Sequence, residues 1–261
     1  MTGRKLKIAA DIGGTFTDIA VLYKRQFLSD GRLATRKVPS TPEDYSRGVI
    51  DGIRELADSA GLRMSDFGEV LHGCTVATNA ILELKGAPTA LLTTRGFRDV
   101  LELRRIRVPR LYDARYVKPA PLAPRAWRFE VTERVAADGS VVTPLDERDV
   151  EAAIDSLART DVEAIAVCFL HSYANPAHER RVGEMLRARL PDRFISLSVD
   201  VLPEIREYER TSTTVINAYV GPPVASYIRS LRDGLRASGL DGQLLVMQSS
   251  GGILDAESVL E

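Results

Sequence analysis

The residue types best suited to chemistry lie near the start of the chain, in the segment Asp11-Ile12-Gly13-Gly14-Thr15-Phe16-Thr17-Asp18. Two adjacent glycines at a hairpin tip expose backbone N–H groups without a nearby Cβ, so phosphate oxygens can approach them closely. Thr15 and Thr17 alternate along the returning strand and would place two hydroxyls on one face beside those amides. Asp11 ends the first strand, where a carboxylate can hold Mg²⁺ against phosphates. The segment therefore predicts a site for the phosphate tail of a nucleotide.

The alternative for this segment is a type I′ hairpin with solvated polar residues, because Gly-Gly turns are common in proteins. The flanking threonines and Asp18 favour the phosphate site over a plain turn. The predicted site residues are the catalytic carboxylates Asp11 and Asp18, the metal ligand Asp11, and the phosphate contacts Gly13, Gly14, Thr15 and Thr17.

The elements around this segment indicate a mixed sheet. Apolar strands flank the Gly13-Gly14 turn, and a third strand, a helix capped by Thr41 and ended by Gly61, and an alternation of strands and helices follow. The predicted elements after that helix are strand 69–72, helix 76–85, strand 88–92 and helix 97–104. This order predicts a ribonuclease-H-like α/β sheet with an N-terminal β-hairpin.

A proline-rich, basic segment interrupts the alternation, and a second α/β stretch begins at Phe129. Near the end, a long helix is predicted from Ile205 to about Ala237, interrupted at Gly221-Pro222-Pro223, with a strand over 244–247 after it. The predicted domains are a phosphate-binding subdomain over 1–105, a loop or lid over 106–128, an α/β subdomain over 129–203, and an incomplete region over 204–261.

Further motifs follow the phosphate segment in order through nearly the whole chain. They are His72–Glu83 with Lys85-Gly86-Ala87, Leu92–Glu102, Leu111-Tyr112-Asp113, Glu133-Arg134, Ala166–Tyr173, Asn175-Pro176, His178-Glu179, Leu202–Thr213 and Met247–Gly252. Asp11–Asp18 resembles the first phosphate loop of the actin, sugar kinase and heat-shock ATPase superfamily. With the later motifs, the chain resembles the amino-terminal part of the hydantoinase A, 5-oxoprolinase and acetone carboxylase β-subunit family.

This resemblance implies an enzyme that uses ATP and Mg²⁺ to phosphorylate a carbonyl oxygen, and so opens a cyclic amide or carboxylates a ketone. It also implies a second subunit of B or α type as partner. Members of the superfamily close the nucleotide with a second phosphate hairpin, which this chain lacks, so the resemblance implies a fragment that is inactive alone. Two alternatives stay open: a sugar-kinase-like phosphotransferase that shares the first loop, and a non-catalytic half-domain that acts as a binding or assembly module.

Weaker substrate-binding candidates lie outside the hairpin. Thr75 and Asn79 open a predicted helix, where free N–H groups favour an anion or a carbonyl oxygen, although ordinary capping by Thr75 is equally consistent. Arg98 and Arg105, near Arg104 and Arg107, are suited to bind a phosphate or a carboxylate; the alternative is that they pair on the surface with Asp99 and Glu102.

The cysteines suggest less chemistry than the hairpin. Cys74 stands at the same helix start as Thr75, where a lowered pKa would make its thiol a nucleophile, but a small, partly buried residue is the simpler interpretation. Cys168 lies inside an apolar strand and is predicted to be core.

Composition excludes several functional classes. The chain has 261 residues, a formal net charge of −1 and a pI near 6.4, with acidic and basic residues interleaved, so it lacks the basic surface expected of a nucleic-acid-binding protein. No stretch approaches the roughly 20 apolar residues that span a bilayer, and no signal peptide is recognisable. We therefore expect a cytoplasmic protein that does not enter the membrane.

Overall fold

The computed structural model describes residues 6–23, 32–41, 43–105 and 112–260. The strands are β1 (Leu6–Ile12), β2 (Phe16–Tyr23), β3 (Arg32–Pro39), β4 (Phe67–Cys74), β5 (Thr89–Thr94), β6 (Arg128–Val131), β7 (Arg134–Val135), β8 (Val141–Thr143), β9 (Ala164–Cys168), β10 (Phe194–Leu197), β11 (Gln243–Met247) and β12 (Ile253–Asp255). The α-helices are α1 (Tyr45–Ala60), α2 (Val76–Leu82), α3 (Val100–Leu103), α4 (Glu147–Leu157), α5 (Ala177–Arg189), α6 (Ser198–Val201), α7 (Glu207–Ala237) and α8 (Ala256–Leu260). Arg107, Leu111 and Pro42 lie outside the described residues.

The chain forms two compact units, one of Met1–Lys85 with Pro223–Glu261 and one of Gly86–Pro222. The first unit contains a six-stranded mixed sheet in the order β12-β11-β4-β1-β2-β3. β1 and β2 form the predicted antiparallel hairpin, while β4 runs parallel to β1, and β11 runs parallel to β4. The carboxyl ends of β1, β4 and β11 therefore meet at one edge of the sheet.

Residues of β1 and β2 alternate between the two faces of this sheet, and helices cover one of these faces. The inner-facing residues pack with α1 and with α7 residues 227–235 in one hydrophobic core, which includes Ile8, Ile19 and Val70. The other face carries Ala9, Asp11 and Asp18, and the exposure of both carboxylates shows that this face is open among the described residues.

α1 begins later than the sequence predicted. Asp44, rather than Thr41, is the N-cap, because its carboxylate accepts hydrogen bonds from the backbone N–H groups of Ser46 and Arg47. The Thr41 hydroxyl instead donates to the Asp44 carbonyl oxygen at 2.5 Å. The predicted end at Gly61 is confirmed, since Gly61 has a φ of 69° and its N–H caps the last turn.

The second unit contains a parallel four-stranded sheet in the order β10-β9-β5-β6. Both of its faces are covered, as is usual for parallel sheets. Ile165 and Val167 of β9 point into a core with α4 and α5, whereas Ala166 and Cys168 point into a second core with the first half of α7. The prediction that Cys168 is core is therefore confirmed.

The division into units differs from the domains predicted from the sequence at 105, 128 and 203. β5 was expected in the first sheet, but it pairs with β6 and β9 in the second unit, and β11 takes a place beside β4 instead. β5 is buried along its whole length, so its apolar run does not reveal which strands it joins. Within the predicted loop 106–128, the described residues 112–124 form neither helix nor strand. A 3-10 helix at Arg125–Trp127 and the start of β6 at Arg128 also fall inside the predicted bounds, so the irregular stretch ends earlier than predicted.

α7 is continuous through Gly221-Pro222-Pro223, where the sequence predicted an interruption. Pro223 has no N–H to donate to the Tyr219 carbonyl oxygen, and the backbone N–H of Ala87 supplies that hydrogen bond instead, at 2.9 Å. A Cβ on Gly221 would lie 2.5 Å from the Phe194 ring, so a glycine is required there by close packing. The helix is thus retained because a neighbouring segment satisfies the carbonyl group that proline leaves free.

The predicted fold class, a mixed α/β sheet with an N-terminal hairpin followed by a second α/β part, is confirmed. Over the described ranges, none of the helices combines the length and the apolar character that crossing a membrane requires.

Candidate functional site

The hairpin tip consists of Gly13, Gly14 and Thr15, between β1 and β2. The backbone N–H of Gly13 donates to the Phe16 carbonyl oxygen at 2.9 Å, which closes the turn. Neither glycine has a positive φ, whereas a type I′ turn requires positive φ at both central residues. The turn is therefore not of type I′, and the backbone conformation alone does not require glycine at either position. Gly14 is exposed and offers a backbone without a side chain, whereas Gly13 is partly buried.

Thr17 was predicted to contact phosphate from an exposed face, and this prediction is wrong. Its side chain is completely buried, and its hydroxyl lies 3.1 Å from that of Ser40. The Ser40 hydroxyl donates to the Gly13 carbonyl oxygen at 2.8 Å, and the Ser40 N–H donates to the Thr15 carbonyl oxygen at 2.9 Å. Thr17 therefore cannot contact a phosphate directly. Together with Ser40 it fixes the tip from the inside, while Thr15 remains exposed.

The two predicted carboxylates do come together. Asp11 of β1 and Asp18 of β2 are paired across the hairpin and both are exposed on the open face. Lys37 of β3 pairs with Asp18, with 3.2 Å between Nζ and Oδ2. Like charges directly opposite each other on adjacent strands repel, so a cation beside Asp11 would stabilise this arrangement.

Gly73 of β4 makes room for the Asp11 carboxylate. It is the partner of Asp11 in the parallel ladder, and a Cβ built on it would lie 2.8 Å from Asp11 Oδ1. Because that distance is too short for a carbon–oxygen contact, any other residue would displace the carboxylate. A cavity of about 520 Å³ lies on the same face and is lined by residues that include Asp11, Asp18, Lys37 and Gly73.

The Asp11 carboxylate and the neighbouring hairpin tip fit a magnesium ion bound together with phosphates. Mg²⁺ prefers oxygen ligands, keeps several waters, and is usually held by one or two carboxylates together with the phosphates of its substrate. Asp11 is exposed, supplies such an oxygen, and lies next to the glycine tip. Among the described residues, no group of three or more histidine, cysteine or acidic side chains forms a cage for a metal.

Thr75 and Asn79 lie next to the hairpin tip. The Thr75 hydroxyl and N–H both donate to the Ile12 carbonyl oxygen, at 3.1 and 3.3 Å, so Thr75 does not cap α2 with its side chain. The Asn79 side-chain amide lies 3.6 Å from the position of a Cβ built on Gly14. Of the two candidates, Asn79 therefore has the side chain closest to any ligand at the tip, whereas Thr75 joins β1 to α2.

A buried histidine supports the strand that carries Asp11. His72 Nδ1 lies 3.0 Å from the Ala10 carbonyl oxygen, and Nε2 lies 2.6 Å from the Tyr227 hydroxyl. Burial lowers the pKa of His72 to about 4. Since the carbonyl oxygen can only accept, we assign the proton of the neutral ring to Nδ1, and the Tyr227 hydroxyl then donates to Nε2. His72 thus ties α7 to the residue preceding Asp11.

Cys74 does not have the environment of a nucleophile. Burial raises the pKa of its thiol, the opposite of the lowering that a reactive cysteine needs, and the charge of Asp11 raises it further. α2 is only seven residues long, which limits what its dipole can contribute. The interpretation of Cys74 as a small, partly buried residue is the one the structure supports.

Arg98 and Arg105 belong to the second unit, whereas the hairpin residues belong to the first. Arg98 donates to the Arg125 carbonyl oxygen at 3.2 Å, and Arg105 forms an ion pair with Glu209. The expected surface pairs are also different, since Asp99 pairs with Arg125 and Glu102 with Arg128, at 2.9 and 3.0 Å. A role for Arg98 or Arg105 in binding substrate stays a prediction.

Three contributions to the site were not predicted from the sequence: Ser40, Lys37 and the packing role of Gly73. Lys37 and Asp18 would have been placed on one face if the register of β2 with β3 had been known, but alternation alone does not set a register. Ser40 follows the last strand of the hairpin sheet and has no distinctive neighbours. Gly73 was part of a recognised motif, and only the parallel pairing of β4 with β1 reveals why it is a glycine.

Comparison with known proteins places the chain in a defined group. Residues 7–190 match the hydantoinase/oxoprolinase N-terminal region and residues 210–261 match the hydantoinase/oxoprolinase region. The chain is 38% identical to the caprolactamase subunit alpha of Pseudomonas jessenii, over 97% of this chain and 36% of that protein. It is 35% identical to the acetophenone carboxylase gamma subunit of Aromatoleum aromaticum, over 95% of this chain and 35% of that protein.

Solved structures agree with these matches. The crystal structure of the ATP-dependent caprolactamase from Pseudomonas jessenii superposes with a TM-score of 0.84 at 38% identity, covering 95% of this chain and 36% of that chain. A nucleotide-free acetone carboxylase superposes with a TM-score of 0.82 at 26% identity, covering 98% and 38%. The chain thus spans little more than a third of the length of these relatives.

Proposed function

The chain belongs to the hydantoinase/oxoprolinase family, and from this membership and the hairpin geometry we propose that it is the nucleotide-binding N-terminal part of an ATP-dependent enzyme. The enzyme would phosphorylate a carbonyl oxygen, either of a cyclic amide that is then hydrolysed or of a ketone that is then carboxylated. The relatives described above include a caprolactamase and two carboxylases, which supports both substrate classes.

The observation that carries the proposal is the combination at the hairpin tip. The Gly13 N–H closes the turn, so the backbone donors that the tip would offer are those of Gly14 and Thr15, and the exposed Asp11 carboxylate lies at the end of the strand that leads into the tip. Backbone donors and a hydroxyl from Thr15 would bind phosphate oxygens, and Asp11 would hold Mg²⁺ against them. Asp18 would complete the acidic side of the site, with Lys37 limiting its negative charge.

The chemical purpose of phosphorylation is to create a leaving group. An amide or enolate oxygen leaves poorly until it carries phosphate, which ATP supplies when it is bound. The described residues would contribute by binding the phosphates, orienting them and neutralising their charge, which is the usual role of protein groups in phosphoryl transfer. The relatives are named as subunits, which supports a second subunit as partner.

Titration calorimetry of the 261-residue chain with Mg-ATP tests nucleotide binding. We expect measurable binding that Asp11→Ala weakens by about tenfold, equivalent to about 1.4 kcal/mol. Asp51→Ala is the matched control, because Asp51 is an exposed aspartate of α1 whose ion pair within the described part of the chain is with Arg54. Equal binding by both variants would remove Asp11 from the site, and absence of binding by the parent chain would contradict the proposal.

Turnover is tested in the longer protein that contains this chain, together with its partner subunit. Asp11→Ala should abolish ATP hydrolysis that depends on a lactam or ketone. Normal turnover in that variant would refute the proposed mechanism. ATP hydrolysis stimulated by sugars rather than by carbonyl substrates would instead establish the sugar-kinase alternative.

A further inference from the structure

The first unit contains a second cavity, of about 570 Å³, which shares no lining residue with the cavity beside Asp11. Residues of α1, α2 and α7 line it, together with the segments that precede α1 and follow α2, and all of them belong to the first unit. Sites for small molecules measure roughly 300–1,000 Å³, whereas packing voids are seldom larger than a water molecule. The cavity therefore has the size of a ligand site.

The floor of this cavity is apolar and aromatic. Val76 and Ala80 of α2 and Tyr227 of α7 line it and are buried. The ring of Tyr45 also lines it and stands at 90° to the ring of Tyr227, with 6.4 Å between their centres. The Tyr227 hydroxyl is bound to His72, so the cavity receives the ring of this residue rather than a free hydroxyl. Such a floor suits the hydrocarbon part of a small organic molecule.

Asn79 connects the cavity to the hairpin tip. Its side chain lines the cavity, and its amide nitrogen lies 3.6 Å from the position of a Cβ built on Gly14. That nitrogen donates to the Thr75 hydroxyl at 3.4 Å, which uses one of the two N–H groups of the amide. A ligand carbonyl oxygen that accepted the other N–H would be held beside the tip. This is the place that a carbonyl compound must occupy to react with a phosphate bound there.

The rim of the cavity is acidic. Among the described residues that line it, three carry exposed carboxylates, namely Glu43, Asp44 and Glu83, and one carries an ammonium group, Lys85. Lys85 Nζ lies 2.7 Å from Glu83 Oε2, so this ion pair leaves Glu43 and Asp44 without a balancing charge in the lining. Like charges brought together disfavour a wrong ligand. A ligand with a carboxylate of its own would therefore be repelled.

We propose that this cavity binds the carbonyl substrate and selects uncharged lactams or ketones over those that carry a carboxylate. The inference rests on the proposed function, from which it takes the need for a carbonyl compound beside the phosphates of the nucleotide. The apolar floor contacts the ring or alkyl part of the substrate, and Asn79 donates to its carbonyl oxygen. Glu43 and Asp44 exclude anionic analogues.

Matched small molecules test the selectivity. 2-Pyrrolidone and 5-oxoproline differ only in a carboxylate, and cyclopentanone has a CH₂ group where 2-pyrrolidone has its N–H. Each is titrated into the 261-residue chain with and without Mg-ATP, and NMR follows the amide shifts of Asn79 and Ala80. We expect 2-pyrrolidone or cyclopentanone to bind at least about tenfold more tightly than 5-oxoproline. Binding of 2-pyrrolidone alone identifies a lactam, and binding of cyclopentanone alone identifies a ketone.

Two outcomes of these titrations would overturn the proposal. One is equal or tighter binding of 5-oxoproline, and the other is the lack of a saturable shift with any of the three compounds. Calorimetry with Mg-ATP on the same samples separates this failure from that of the proposed function. Normal nucleotide binding without binding of a carbonyl compound refutes the cavity alone, whereas loss of nucleotide binding refutes the proposed function as well.

Variants locate the binding. Ser226→Trp places a large ring in the cavity from an exposed position on α7 and should abolish the shifts, whereas Ser59→Trp, at an exposed position of α1 outside the cavity, should keep them. Should Ser226→Trp not fold, Asn79→Leu provides the same test through the shift of Ala80, with binding weakened by about tenfold. Unchanged binding in the folded variant would contradict the proposal.

A gain of affinity tests the role of the rim. Glu83→Gln releases Lys85 from its ion pair and makes the rim less negative. This variant should bind 5-oxoproline about fivefold more tightly than the parent chain does, with little change for 2-pyrrolidone. An unchanged ratio of the two affinities would show that the charge of the rim does not select the ligand, and would overturn the proposed selectivity.

Discussion

Asp11 and Asp18 lie directly opposite each other on β1 and β2, both exposed, and Asp18 forms an ion pair with Lys37. Their repulsion should destabilise the chain when no cation is present. We expect Asp11→Asn to raise the free energy of unfolding by up to about 1 kcal/mol in chelator, and to lose the additional stabilisation that Mg²⁺ with ATP gives the parent chain. Urea denaturation with and without Mg-ATP measures both effects. Asp18→Asn should gain less, because it also loses the ion pair with Lys37.

Gly73→Ala should impair the site while leaving the fold intact. The added Cβ would lie 2.8 Å from Asp11 Oδ1, and the carboxylate has solvent into which it can move. We therefore expect a change in stability below about 1 kcal/mol and a clear loss of Mg-ATP affinity. Calorimetry gives the affinity, and unchanged affinity would show that the position of the Asp11 carboxylate does not matter for binding.

Thr15 and Thr17 should respond differently to the same substitution. Thr17→Val removes a buried hydroxyl that bonds to Ser40, so it should cost about 1–2 kcal/mol of stability. Thr15→Val alters only an exposed side chain at the tip, and should weaken Mg-ATP binding without a comparable loss of stability. Denaturation and calorimetry on both variants separate the two roles, and the reverse pattern would contradict the assignment.

His72 makes stability depend on pH. Its folded pKa of about 4 lies below its ordinary value of 6.5, so the unfolded chain binds a proton between these values and the folded chain does not. The contribution of His72 is fully present above pH 6.5 and is lost as pH falls towards 4, by about 3 kcal/mol in total. Denaturation at pH 7 and 5 should show a smaller decrease in His72→Phe than in the parent chain. Equal decreases would show that His72 does not titrate in this range.

Gly221→Ala should destabilise the protein although it lies inside a helix. Alanine in a helix is ordinarily more stable than glycine by about 1 kcal/mol, but here its Cβ would lie 2.5 Å from the Phe194 ring. We expect a lower Tm for Gly221→Ala and a partial recovery when Phe194→Leu is added, because the smaller side chain leaves room. A higher Tm in the single variant would show that the ring moves aside without cost.

Local patterns in the sequence predicted the hairpin, its exposed carboxylates and most helices and strands. Apolar alternation defines β1 and β2, and the glycines mark the turn between them, so these features depend only on neighbouring residues. The fully apolar β5 and the interrupted pattern of α7 were misassigned for one common reason. Their structure depends on segments far away in the chain, such as β9 for β5 and Ala87 for the carbonyl group of Tyr219.

Like the fold, the candidate site was predictable where it depends only on neighbouring residues. Asp11, Gly14 and Thr15 are exposed at or beside the hairpin tip, as their types suggested, whereas the Gly13 N–H is used to close the turn. Thr17 was misplaced because alternation along a strand separates two faces but does not say which one becomes covered. Burial of that face follows from α1 and α7 packing against it, which no feature of the hairpin itself records.

α7 provides side chains to the hydrophobic cores of both units, residues 215–218 to one and 227–235 to the other. A helix gains stability cooperatively along its length, so melting one half removes hydrogen bonds that support the other. Loss of either core would therefore shorten the element on which its neighbour depends. If the chain is cut at Pro222, each fragment should be less stable than its own hydrophobic core suggests. The reason is that each fragment would end in a frayed half of α7 instead of the continuous helix.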